Sequence, residues 1–150
     1  MPETDLPEHL RDLPGTALTP GSISIPAAEA VMLTEVLGTP TPDGELHPIY
    51  AYLATQRGIG MSVREVCALA DFDVDDGPML GGVEFDFGTP MFAETEYRVE
   101  GTILGISRKL GRTAGVFDLL DFEERLIDER GAVVASARLS FVLPRKEGLS

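Results

Sequence analysis

Six consecutive residues, Glu45-Leu46-His47-Pro48-Ile49-Tyr50, place a carboxylate, an imidazole and a phenol side by side in the chain. His47 is one of only two histidines in 150 residues. An imidazole titrates near neutrality and can give or take a proton. A carboxylate can accept one, while a phenol with an ordinary pKa of roughly 10 is a better donor than base at pH 7. Behind this stretch runs Gly58-Ile59-Gly60-Met61, which opens a second helix signal ending at Ala70. The first N–H groups of a helix are unpaired and carry positive partial charge, so a polar loop feeding a buried helix is a place to hold an oxyanion. Gly60 is the candidate donor there, with Met61 beside it.

Each of these residues also has a purely structural reading. Glu45 fits a solvated loop carboxylate, His47 ahead of Pro48 fits a helix cap, and Tyr50 fits a side chain packed on a sheet. The glycines fit a close approach of helix to strand. Cys67, between Val66 and Ala68, reads as core packing. His9, between Glu8 and Leu10, reads as a surface residue.

The elements that must position them follow from periodicity. Residues 1–21, with Pro2, Pro7, Pro14 and Pro20, read as an extended arm, and residues 22–150 as a single domain. Ser22 to Gly38 predicts a helix with Pro26 in its first turn and a broad apolar face of Ala27, Ala30, Val31, Leu33, Val36 and Leu37. Pro40, Pro42, Asp43 and Gly44 mark a loop. Pro48 starts a second helix, bent by Gly58 and Gly60 before Met61–Ala70, a segment apolar enough to be buried along its length. From Val83 the period changes to two. Val83–Phe87, Tyr97–Gly105, Val116–Asp128 and Val133–Leu143 predict four strands in a meander, with Asp128-Glu129-Arg130-Gly131 as a hairpin turn. Helices first and an antiparallel sheet after them make an α+β domain.

Composition excludes several classes. A hydrophobic content of 43% against 25% charged residues is that of an ordinary globule. No apolar run reaches bilayer-spanning length, and the acidic start Met1-Pro2-Glu3-Thr4-Asp5 is unlike a secretory signal, so a cytoplasmic protein off the membrane is expected. The single cysteine agrees with that compartment. A net charge of −13 argues against nucleic acid. Against it, Arg108, Lys109 and Arg112 form one basic cluster, either a solubilising hairpin turn or a landing point for a phosphate-bearing ligand or an acidic carrier protein. No metal site is expected.

Over residues 22–144 the sequence resembles the hot-dog fold, an antiparallel sheet wrapped around a central helix, in its MaoC-type (R)-specific enoyl-CoA hydratases and acyl-thioester dehydratases. Besides the helices, the resemblance rests on Phe85–Pro90 before a long strand and on the closing Ala137-Arg138-Leu139-Ser140-Phe141. That family's loop, Asp-x-Asn-Pro-x-His, supplies a catalytic Asp and His. Laid over it, Glu45 falls at the Asp, His47 at the Asn, Pro48 at the Pro and Tyr50 at the His, while Gly60-Met61 falls at a Gly-Met that gives an N–H to the thioester oxygen. The base histidine is therefore replaced by Tyr50.

The resemblance implies a dehydratase or hydratase acting on 3-hydroxyacyl or 2-enoyl chains, with His47, Glu45 and Tyr50 handling protons. Gly60, Met61 and Phe85 would bind the acyl thioester, and Arg108, Lys109 and Arg112 its phosphates. No cofactor is implied beyond coenzyme A or phosphopantetheine as part of the substrate. Hot-dog domains pair through edge strands, so a homodimer, or a heterodimer with another hot-dog subunit, is implied too. Three alternatives stay open: a non-catalytic subunit of a heteromeric dehydratase, a hot-dog thioesterase, and a cone-shaped fold of the ketosteroid-isomerase type. In that last case Tyr50, Tyr97 and Asp121 would line a polyketide or steroid site.

Overall fold

Alternation in the second half of the chain decides which side chains meet. The computed structural model describes residues 3–113 and 115–145; residues 146–150, expected to belong to the same domain, lie outside them. Three long strands, β4 (Glu96–Gly111), β5 (Gly115–Ile127) and β6 (Val133–Pro144), form an antiparallel meander whose inner face is buried. Asp128 shapes the turn between β5 and β6, its Oδ1 accepting from the N–H groups of Arg130 and Ala132 at 2.9 Å each. Gly131 takes φ +82°, a left-handed conformation that a side chain would strain.

The expected four-strand meander holds only for these three. The preceding strand, β3 (Met79–Phe87), crosses the sheet to pair with β6 at its far edge. Two short strands, β1 (Glu3–Thr4) and β2 (Gly21–Ser24), were hidden by the prolines around them. Both add to the free side of β4, giving a sheet ordered β1-β4-β5-β6-β3 with β2 also beside β4. From Glu3 onward the expected arm is thus stitched to the sheet, and β2 spans the boundary placed between residues 21 and 22. Leu10 and Leu18 from this segment are core residues, each 2% exposed.

The first helix, α1 (Ala27–Leu37), starts five residues after the expected Ser22, with Pro26 at its N-cap, because Gly21–Ser24 are taken by β2. Gly38 closes it in a left-handed conformation, φ +67°. Its expected apolar face is mostly unburied: Ala30 is covered, but Val31 is 57% and Val36 76% exposed.

The central rod is two short helices rather than one long one. The first, α2 (Tyr50–Gly58), lies against β2 through β6, and the second, α3 (Val63–Leu69), follows after a bend. Ser62 caps α3: its Oγ accepts from Glu65 N–H at 3.1 Å while Glu65 Oε1 accepts from Ser62 N–H at 3.1 Å. Under α2, Tyr50, Ala51 and Ala54 pack on Val99, Leu126 and Ala135. Under α3, Val66, Cys67 and Ala70 pack on Ile103, Phe122 and Leu139. Only Val66 and Cys67 are buried within α3, so its other face is open, contrary to a helix buried throughout.

The bend is steric in origin. A Cβ on Gly60 would run into the carbonyl of Pro20, and one on Gly21 into the carbonyl of Gly58. Here the glycines allow backbone to approach backbone. Among the described residues, no helix is long and apolar enough to cross a membrane.

Candidate functional site

The loop ahead of α2 brings Glu45, His47 and Tyr50 onto one path, but their side chains diverge. Glu45 borders a groove of about 280 Å³ beneath α1, with Ala30, Thr34 and Pro42. His47 Nδ1 accepts from the Ile49 N–H at 3.0 Å, which ties the ring to the turn just ahead of α2. Tyr50 is 1% exposed, and its hydroxyl donates to Glu29 Oε2 on α1. Arg57 holds the same carboxylate from the other side, Nη1 to Oε2 at 2.8 Å and Nη2 to Oε1 at 3.1 Å. Burial, reinforced by the adjacent Glu29 carboxylate, pushes the Tyr50 phenol up to about 12. The bond from Arg57, with that from Tyr50, draws Glu29 below the ordinary carboxylate value.

The Gly60 N–H is also engaged: it donates to the Thr19 carbonyl at 2.9 Å. Met61 faces the same segment, its Sδ accepting from the Thr19 N–H at 3.3 Å. The donor expected to meet an oxyanion therefore fastens the N-terminal segment to the bend between α2 and α3. Phe85 lies on the inner side of β3, edge-on to Tyr52 with ring centroids 6.1 Å apart and beside Phe87 at 6.0 Å.

The basic cluster is divided by strand parity. Arg108 lies within β4, directly opposite Asp118 of β5. Its guanidinium grips that carboxylate bidentately, Nε to Oδ1 at 2.8 Å and Nη2 to Oδ2 at 3.0 Å. Arg145 adds Nε to Oδ2 at 2.9 Å and donates to the carbonyls of Ala70 and Asp71 at the end of α3. All three side chains are buried. Arg108 is thus a structural residue and not a landing point. Lys109 is half-buried on the opposite face, and Arg112 is exposed in the turn after β4.

One acid missed in the sequence stands out. On β5 the residues facing inward are Asp118, Leu120, Phe122, Glu124 and Leu126. Asp118 has two arginines; Glu124 has none. Gln56 of α2 donates from Nε2 to Glu124 Oε1 at 2.6 Å, while Oε2 is buried without a hydrogen-bond partner. Burial pushes this carboxyl up to about 7, with the Gln56 bond pulling the other way. Beside it lies a pocket of about 80 Å³ reached past Ser62 and Val63 and walled by Ile59, Met61 and Phe141. The signal was present in the alternation, since Glu124 shares the face of Leu120, Phe122 and Leu126. Met61 is the one expected site residue that borders this pocket. Among the described residues, no group of three His, Cys, Asp or Glu side chains is placed to hold a metal ion.

No protein-family model matches the sequence, and no curated protein does. Solved structures do resemble the fold. One is the C-terminally truncated HadBC (3R-hydroxyacyl-ACP dehydratase) complex from Mycobacterium tuberculosis, with a TM-score of 0.66 at 11% identity, over 89% of this chain and 98% of that chain. This is a hot-dog fold. The ChsH1–ChsH2 complex of the same organism gives a TM-score of 0.65 at 12% identity, covering 88% of this chain and 87% of that one. A MaoC-like dehydratase from Rhodospirillum rubrum gives 0.54 at 18%, covering 89% and 93%. At such identities the likeness is one of hot-dog architecture alone. It overturns the cone-shaped alternative, whose three residues have other hydrogen-bond partners: the Tyr50 hydroxyl donates to Glu29, the Tyr97 hydroxyl accepts from the Phe92 N–H, and Asp121 accepts from the Ser140 hydroxyl.

Proposed function

We propose that this chain is a subunit of an acyl-thioester dehydratase or hydratase that acts with a second hot-dog subunit. The acyl group would be a 3-hydroxyacyl or 2-enoyl chain, carried on coenzyme A or on the phosphopantetheine of a carrier protein, in the cytoplasm. The observation that carries the reading is the state of Tyr50. It stands where the resembling family has its base, yet its hydroxyl is committed to Glu29 and its phenol stays protonated at neutral pH. A phenol so held takes no proton from substrate.

Pairing is supported by β3. The strand has β6 on one side only, and every residue in it is exposed. On its inner face Val83 is 37%, Phe85 38% and Phe87 53% exposed, although α2 reaches Phe85 through Tyr52. An uncovered edge with apolar side chains calls for another strand and another core. The HadBC and ChsH1–ChsH2 structures are both complexes by name.

The test is loss of the enoyl-thioester absorbance with crotonyl-coenzyme A. The purified chain should give no turnover, and the complex it forms in its host should give turnover. Efficient hydration by the chain alone, falling in His47→Ala, would replace this reading with a self-contained enzyme.

A further inference from the structure

Glu124 occupies a position where a buried carboxylate should be costly. It is 1% exposed, and its neighbours across the sheet are Gly101 on β4 and Ala137 on β6, neither able to offer a hydrogen or a charge from its side chain. On the helical side Gln56 satisfies Oε1 only. Of the residues lining the adjacent pocket, Glu124 is the sole titratable one. Burying an unpaired polar atom costs on the order of 1–3 kcal/mol, so such atoms normally mark a ligand or water.

The shape of the pocket selects among ligands. Its volume of about 80 Å³ admits two or three water-sized groups at roughly 30 Å³ each. Its floor is the carboxyl of Glu124, its walls Ile59, Met61 and Phe141, and its rim Ser62 and Val63, both exposed. A small pocket with apolar side chains from Ile59, Met61, Val66 and Phe141 around one unpartnered carboxyl oxygen suits a short aliphatic chain with a terminal donor. An ammonium would require both partners to be charged away from water, with no second anion to share it. A hydroxyl can donate to Oε2 of the carboxylate and accept from the protonated acid, so it fits either state.

We propose that the Glu124 pocket binds the hydroxyl end of a short aliphatic group, with the hydroxyl on Oε2 and the alkyl tail leading out past Ser62 and Val63. The site stands independently of the acyl-thioester reading, since it requires neither turnover nor a second subunit.

The test uses the full chain with 13C-labelled glutamate side chains, the Glu124 carboxyl resonance being assigned by its loss in Glu124→Gln. Added 1-propanol should displace that resonance saturably and leave Glu123, on the outer face of β5, unmoved. 1-Fluoropropane, of similar size but without the donor, should bind about tenfold more weakly, the effect of one hydrogen bond to an ionisable group. Equal effects of the two probes would overturn the hydroxyl assignment, as would a larger displacement by propylammonium. No saturable shift with 1-propanol would show a pocket for water only and end the proposal.

Discussion

Glu29 Oε2 accepts from the Tyr50 hydroxyl and from Arg57 Nη1 at once, which ties α1 to α2 through a single carboxylate. The position that resembles a proton-transfer site is in this way turned into a fastening. Tyr50→Phe removes the donor while keeping the ring, and should destabilise the fold by about 1.5 kcal/mol, the lower range for a hydrogen bond to a charged group. Urea denaturation measures it. A change within error of zero would mean that the hydroxyl fastens nothing.

The same phenol sets an alkaline limit. Its pKa is raised in the folded chain from 10.0 to about 12. A raised value favours the protonated form on folding, so this contribution is complete below pH 10 and is lost as pH climbs through about 12. Wild type should lose stability over that window more steeply than Tyr50→Phe, as followed by thermal melts at fixed pH steps. Parallel slopes would contradict the assignment.

Glu124 should act in the neutral range. Its folded pKa stands at about 7 against an ordinary 4.5, a difference worth about 3 kcal/mol. Because the value is raised, stability is complete below pH 4.5 and is lost as pH rises through about 7. Glu124→Gln keeps the shape without the charge, so its stability relative to wild type should grow between pH 5 and pH 8. A pH-independent difference would show that the carboxyl is already ionised in the fold.

The Asp118 cluster offers the opposite case. Both of its oxygens are held by Arg108 and Arg145. Asp118→Ala leaves two buried cations facing each other and should cost about 3–5 kcal/mol in equilibrium unfolding. A loss below 1 kcal/mol would mean that water replaces the carboxylate at no expense.

Parity explains what was and was not legible in the sequence. The spacing of Val133, Ala135, Ala137, Leu139, Phe141 and Leu143 marked one face of β6, and from Ala135 on that face is the inner one; at the start of the strand the β5–β6 register shifts, so that Val134 is buried and Val133 is 49% exposed. The same rule, applied to Asp118 and Glu124, places both inside, but an acid in a strand reads as solvent-facing unless its apolar neighbours of like parity are weighed. Arg108 looked like part of a surface cluster because Lys109 and Arg112 adjoin it in the chain. Its true partner, Asp118, becomes adjacent only once the hairpin register is known. The segment of β2 resembles a helix start because Pro26 suits a first helical turn; its pairing is entirely with β4, 72 to 78 residues away in sequence, as the register Gly21↔Val99 to Ser24↔Glu96 shows. Tertiary pairing of that range leaves no local signature.

Glycine at the bend is testable as well. Gly60→Ala would press a methyl group into the Pro20 carbonyl, and should lower stability by about 1–3 kcal/mol through displaced backbone. Unchanged melting would show that the N-terminal segment yields freely.

Central to the proposed function is a second hot-dog subunit that pairs at the edge of β3. The decisive measurement is the rate of crotonyl-coenzyme A hydration by three samples at equal concentration: the purified chain, the complex recovered from its host, and the same preparation carrying Phe85→Glu. The chain alone should be inactive and the complex active, and Phe85→Glu should abolish both recovery and turnover. Turnover by the isolated chain at the rate of the complex, unaffected by Phe85→Glu, would contradict it.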